Sequence, residues 1–261
     1  MTIRKKCFGS CIVVIIVGVL VASCIFAYAT EDYNEGNSIE AFVKIQCDAA
    51  NIGDVVGDES VLPQVYASIE SHKLIEEENR VENKVKSDFL SREATYRYAK
   101  KKGFGFTEEE LLKKLSLLVS EMKNAEEYAE IEGYYNANGT SLEENIFDNY
   151  KFYETEYVIN NMYSFYKNSY YAGNTVFNGH EYDNWMSYWE AIEKAAFNEY
   201  NKTKDCAIMK EAISVAIDVT ECKDIETLKH DDVSNDDLLK MVEDTSVFDK
   251  LSYKHNEITG G

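Results

Sequence analysis

Four histidines, six cysteines and a large surplus of carboxylates are the side chains of this chain that could do chemistry. His72, His180, His230 and His255 form no H-E-x-x-H and no pair at helical spacing, so the two-histidine grip of a zinc hydrolase is missing. His180-Glu181-Tyr182-Asp183 puts three ligand types side by side, in a stretch that reads as a solvated loop at a helix start. Asp232, Ser234, Asp236 and Glu243 fall at positions 1, 3, 5 and 12 of a calcium loop. Asp237 stands where that turn needs glycine, and Lys240 sits at position 9. Ser234 to Asp237 is explained more simply as a helix cap, with acidic residues at the positive end of the dipole. No G-x-S-x-G, phosphate-binding loop or dinucleotide glycine fingerprint occurs, and Gly53-x-x-x-Gly57 is a lone turn. The expectation is a protein that is not an enzyme, with no metal and no cofactor.

The cysteines divide by position. Cys7, Cys11 and Cys24 belong to an N-terminal apolar stretch, which leaves Cys47, Cys206 and Cys222. That odd number implies no disulfide framework, and no C-x-x-C occurs. A single optional disulfide, Cys206 to Cys222, is allowed if the compartment is oxidising.

The compartment follows from charge. Cys7 to Ala29 is an uncharged run of 23 residues preceded by Arg4, Lys5 and Lys6, and every one of the 47 acidic residues lies beyond it. About 20 apolar residues span a hydrocarbon core, and excess cations stay on the cytoplasmic side. The expected location is therefore the cell membrane, single-pass through residues 7–29, with the C-terminal bulk extracytoplasmic. Two rival readings occupy the same residues. Val21-Ala22-Ser23-Cys24 looks like a bacterial lipobox, which would anchor the chain by a lipid on Cys24, and Ala27-Tyr28-Ala29 is an A-x-A cleavage site. All three readings put the working part outside the cytoplasm. Taking Arg4, Lys5 and Lys6 from the 27 basic residues leaves 24 against the 47 acidic ones. That balance excludes nucleic acid as a partner, because phosphate affinity comes from Lys and Arg.

The elements are helical by composition: a single proline, Pro63, and long segments of Glu, Lys, Leu, Ala and Tyr. Residues 30–38 read as a polar tether and Ile39 to Asn51 as a helix. Leu62-Pro63 opens a long helical stretch running to Lys102, stopped by Gly103. Thr107-Glu108-Glu109-Glu110 is a capping box for a helix ending near Gly133. Asn136 to Gly139 is a turn, Thr140 or Ser141 caps a tyrosine-rich helix ending at Tyr170-Tyr171, and Gly173 to Gly179 is a loop. A tryptophan-bearing helix spans Asp183 to about Tyr200. Ile213 to Val219 alternates like a strand although Ala207 to Ala212 looks helical, and a short capped helix covers Ser234 to Glu243.

The order of these signals, from about Lys73 to Tyr200, resembles the helical client-binding domain of the SurA, PrsA and trigger-factor type of chaperone. The likeness lies in Arg92-Glu93-Ala94 to Lys100-Lys101-Lys102-Gly103, the Thr-Glu-Glu-Glu start at Thr107, the Ser-Leu-Glu-Glu start at Ser141, and the Trp…Tyr-Trp-Glu helix from Trp185 to Glu190. No segment has the length or strand pattern of the parvulin domain that such proteins often carry, and the family's V-N-G opening is absent. The resemblance implies a mostly α chain: an N-terminal membrane segment followed by an extended multi-helix domain of the SurA N-terminal and trigger-factor C-terminal kind. The expected divisions are a membrane anchor or signal segment at 1–29, a tether at 30–38, a chaperone-like domain at 39–204 and a small extension at 205–261, either separate or part of the same domain. The implied function is to hold unfolded or secreted polypeptides without prolyl isomerisation. The alternative is an anchored scaffold that recognises a single folded partner or ligand. Tyr134, Tyr135, Tyr170 and Tyr171, at helix ends, are the candidate client contacts. Tyrosine suits the task because its ring supplies area while its hydroxyl stays solvated.

Overall fold

The structure, a computed structural model, describes residues 35–57, 60–74, 81–222, 225–229 and 250–251. The uncharged run 7–29 with Cys24, expected to be an anchor, and the calcium-like run from Asp232 to Glu243 lie outside them. Among the described residues the chain is mostly α, with ten helices and one two-stranded hairpin. In order they are α1 (Glu35–Val56), α2 (Leu62–Lys73), α3 (Val81–Lys101), α4 (Glu108–Lys123), α5 (Tyr128–Ala137), α6 (Leu142–Asp148) and α7 (Tyr150–Tyr171). The hairpin β1 (Val176–Phe177) and β2 (His180–Glu181) follows, then α8 (Trp185–Tyr200), α9 (Lys204–Thr220) and α10 (Ile225–Leu228). No helix among these residues is long and apolar enough to cross a membrane.

Both capping boxes form. The Thr107 amide donates to Glu110 Oε2 at 2.8 Å while the Glu110 amide donates back to Thr107 Oγ1 at 3.3 Å. Ser141 and Glu144 repeat the exchange at 2.9 and 3.1 Å. Each box satisfies amides that the first helical turn leaves without intrahelical acceptors. Accepting these bonds holds the Glu110 and Glu144 carboxyls below the usual carboxylate range. Gly103 ends the α3 stretch with φ +87°, a left-handed turn that a Cβ would disfavour.

Several boundaries differ from the sequence expectation. The tether is shorter, because Glu35 to Ser38 already belong to α1. The stretch from Leu62 to Lys102 is two helices: α2 ends at Lys73 with Leu74 as its cap, and α3 packs against α2. The helix from Thr107 also stops early, at Asn124, and Gly133 lies inside a separate α5. Asn149 separates α6 from the tyrosine-rich α7. Ile213 to Val219 is helical, not a strand. Its small and large apolar residues, Ala212, Ile213, Ala216 and Ile217, bury one face of α9, and tertiary packing decides between two periods that a short apolar run leaves ambiguous.

Three buried clusters result. The first is aliphatic and joins α1, α2, the N-terminal half of α3, α9 and α10 around Ile52, Leu62, Val65, Val85 and Ile213. Leu251 closes it, with its carbonyl accepting from the Val61 amide at 3.2 Å. The second joins the other face of α1 to α4, α5, α6 and the start of α7, around Leu115, Tyr135, Ile146 and Tyr153. The third is aromatic and joins the C-terminal half of α3 to α7, α8 and the hairpin. α9 therefore packs in the same core as α2 and α3, so residues 204–220 are built into the body that residues 39–204 form.

Candidate binding site

Long helices shared between clusters position the site. α3 contributes Val85 and Leu90 to the first cluster and Tyr96 and Ala99 to the third. Its polar residues fix its neighbours. Arg92 Nε donates to Glu156 of α7 at 2.7 Å, and Tyr96 OH and Lys100 Nζ both donate to Glu154 at 3.1 and 3.2 Å. Arg97 pairs with Glu93 at 2.5 Å and with Asp205 of α9 at 2.7 Å, its guanidinium over the Tyr200 ring. Lys101 pairs with Glu199 of α8. The run Arg92 to Lys101 is thus the strut that holds α7, α8 and α9.

Against that strut the third cluster stacks its rings. Tyr163 meets Trp185 and Trp189 edge-on at 5.1 and 4.9 Å, and Tyr188 lies 5.2 Å from Tyr170 and 6.0 Å from Phe177. Such offset and edge contacts add about 0.5–1.5 kcal/mol each beyond area burial. Two hydrogen bonds pin the layer: Trp185 Nε1 to Tyr163 OH at 3.0 Å, and Tyr170 OH to the Tyr182 carbonyl at 3.1 Å. Burial pushes the Glu193 carboxyl up, with a hydrogen bond from Trp189 opposing it. Four apolar residues of this end remain more than half exposed: Phe165, Tyr171, Val176 and Met186. Phe165 lies 5.4 Å from Phe104, Tyr171 lies 5.5 Å from Tyr170, Val176 precedes Phe177 in β1, and Met186 follows Trp185 in α8.

The four tyrosines singled out by sequence do not form one surface. Tyr171, at 69 % exposure, is open. Tyr170 is 9 % exposed and Tyr135 is fully buried in the second cluster, which removes both as contacts for a client. Tyr134 is half-buried and donates to Glu130 at 3.0 Å. A helix end marks a surface only when nothing packs over it, and α6 packs over the end of α5. Phe165, Val176 and Met186 were missed. The signal for the hairpin that carries Val176 was present: Asn178-Gly179 is a two-residue turn with φ 50° and 81°, the strongest short hairpin signature.

The remaining candidate chemistry does not assemble. His180 and Glu181 are consecutive in β2, so their side chains point to opposite faces, and Glu181 instead accepts from Thr175 at 3.2 Å. No group of three or more His, Cys, Asp or Glu among the described residues converges on a metal-sized site. The Cys206–Cys222 disulfide is corrected too. Both thiols are free and stand at opposite ends of α9. Cys222 lies just past the end of α9, its amide donating to the Val219 carbonyl at 2.9 Å, and the helix from Cys206 to Thr220 alone rises about 21 Å, against a limit of about 7 Å for bridging.

A second feature lies where α1, α2, α3, α6 and α7 meet: a cleft in which water centres can occupy about 60 Å³. Asn145 of α6 lines it, only 2 % exposed. Its Oδ1 accepts from Tyr135 OH at 3.4 Å, and its Nδ2 has no hydrogen-bond partner among the described residues. A buried donor left without an acceptor costs about 1–3 kcal/mol. No family model, curated protein or solved structure matches this chain.

Proposed function

We propose that this chain is a membrane-tethered extracytoplasmic binding protein that holds apolar segments of unfolded or secreted polypeptides, without covalent chemistry and without prolyl isomerisation. The observation that carries this reading is the aromatic end, where Phe165, Tyr171, Val176 and Met186 stand exposed on a fixed layer of rings. Unfolded polypeptides share apolar side chains but no common shape, and rings with exposed flanks offer contact area to many of them. At about 25 cal/mol per Å² the gross gain over a few hundred Å² is several kcal/mol, most of it offset by ordering the client. Weak, reversible capture is what a holdase needs. The helix order that resembles the SurA-type client-binding domain supports the same reading, since α3, α4, α6, α7 and α8 carry its punctuation. The N-terminal apolar run would keep the capture site close to a membrane that clients cross.

One observation favours the alternative of a single folded partner. The rings beneath the surface are pinned by Trp185 and Tyr170 hydrogen bonds, and a rigid template suits one complementary shape better than many. Light scattering on two unrelated, chemically unfolded clients separates the readings, with the full chain held in lipid nanodiscs. Suppression of both at near-stoichiometric ratio, diminished by Phe165→Ser and Met186→Ser, is the expected result. Suppression of neither removes the holdase reading and leaves the single-partner one.

A further inference from the structure

The β1–β2 hairpin ends in open backbone. Phe177 and His180 flank its two-residue turn, and on the other side the Tyr182 amide donates to the Thr175 carbonyl at 3.0 Å. Hydrogen-bonded and non-hydrogen-bonded pairs alternate along an antiparallel ladder. Val176 and Glu181, between those two pairs, therefore turn their N–H and C=O groups away from each other. It is β1 that packs against α8, and His180 and Glu181 of β2 are both exposed. The Glu181 N–H and C=O thus lie at a free strand edge, with no hydrogen-bond partner among the described residues. Such an outward donor and acceptor are what a further strand pairs with.

Side chains decide which strand fits. Val176 and Glu181, directly opposite, share one face of the hairpin and set an apolar and an anionic contact side by side. β2 runs on through Tyr182 into α8, where Asp183 comes just before Met186 and Glu190 follows it one turn later. Glu181, Asp183 and Glu190 are exposed and enter no ion pair among the described residues. No Lys or Arg occurs from Asn168 to Glu193. Leu112, Leu117, Tyr150, Phe165 and Ile208 are exposed as well, but each has a lysine within three residues. Val176 and Met186 stand apart as exposed apolar side chains whose chain neighbours are anionic only. An edge guarded by carboxylates repels acidic strands and attracts cationic ones. We propose that β2 is a strand-addition site for an extended polypeptide segment carrying Lys or Arg among apolar residues. Its backbone pairs with Glu181, its cations meet Glu181, Asp183 and Glu190, and its apolar side chains meet Val176 and Met186. The site names the class of polypeptide held at the aromatic end, and its occupant rests on that reading.

The test titrates the full chain, held in nanodiscs of zwitterionic lipid, with four fluorescent probes of equal length read by anisotropy. They are a peptide rich in Lys and Val, the same peptide with Ser for Lys, the same with Glu for Lys, and a peptoid that bears the Lys and Val side chains but has no backbone N–H. The cationic peptide should bind about tenfold tighter than the neutral one and the peptoid, the anionic peptide should bind weakest, and added salt should narrow the gaps. Glu181→Gln with Asp183→Asn and Glu190→Gln should bring the cationic peptide down to the neutral one and leave the neutral one unchanged. Glu109→Gln with Glu121→Gln and Glu126→Gln removes the same charge from the α4 side and should leave the preference intact. Equal affinity for the three peptides, a peptoid that matches the cationic peptide, or a preference lost equally in both triple variants would each overturn the site. Suppression of unfolded clients in light scattering without a peptide preference removes this site alone. A preference without suppression removes the holdase reading and keeps the site for a single partner, and absence of both removes both.

Discussion

The first and third clusters solve the same packing problem with different side chains. Around α1, α2 and α9 the core is aliphatic, and Ile52, Leu62, Val65 and Ile213 are sealed from water. Around α7 and α8 it is aromatic, closed by edge contacts and hydrogen bonds, with Phe165, Tyr171, Val176 and Met186 left outside. Branched aliphatic side chains interdigitate and close completely, whereas rings leave edges and polar tips that must face a partner or water. The aliphatic region leaves only Ile208 of α9 more than half exposed among its described large apolar side chains, and the aromatic region leaves four. α3 runs through both, and its Arg97 sits at the join.

That contrast can be broken at the join first. Arg97→Ala leaves Glu93 buried without the Arg97 cation and removes the ion pair that joins α3 to Asp205 of α9. A loss of about 3–5 kcal/mol is expected, as for one partner removed from a buried pair, read by chemical denaturation. A cost below 1 kcal/mol would mean that the two regions hold together without it. Within the aliphatic region, Ile213→Ala should cost about 3 kcal/mol, because the cavity it opens has no route to collapse. Aggregation suppression per folded molecule should stay unchanged. A selective loss of suppression would show that the surface extends beyond the aromatic end.

Alkaline titration gives a more gradual effect. Burial, then the neighbouring Asp48 charge, pushes the Cys47 thiol from 9.0 to about 11, with Lys44 opposing. Burial also pushes the Tyr66, Tyr135 and Tyr153 phenols up. Between pH 9 and 11 the native chain retains a proton on Cys47 that the unfolded chain has lost, so stability falls as pH rises through that window. Thermal melts at pH 8 and pH 10.5 check the sign. Iodoacetamide at pH 8 should modify exposed Cys222 and spare buried Cys47 and Cys206 until the chain unfolds, as peptide mass spectrometry would show. The smallest expected change in stability comes from the surface itself. Phe165→Ser and Tyr171→Ser should each stay within about 0.5 kcal/mol of the parent while lowering client capture. Unchanged capture in the double variant would leave the aromatic end as ordinary surface.

The sequence by itself determined what depends on neighbours along the chain. Both capping boxes, the Gly103 stop and the helical class were legible, because the partners of each lie within a few residues: Thr107 with Glu110, Ser141 with Glu144. The Asn178-Gly179 turn was equally local and could have been read. The tertiary structure alone decided what depends on distant contacts. Tyr135 and Tyr171 both stand at helix ends, yet α6 packs over one and the other stays 69 % exposed among the described residues. Ile213 to Val219 could alternate or wind until α2 and α3 offered a face to bury against. The fold of Leu62 to Lys101 into a packed pair, and the neutral cleft at the seam of two cores, likewise come from helices far apart in sequence. Hydrogen bonds across three residues are encoded where they form, whereas burial is a property of the whole chain's packing.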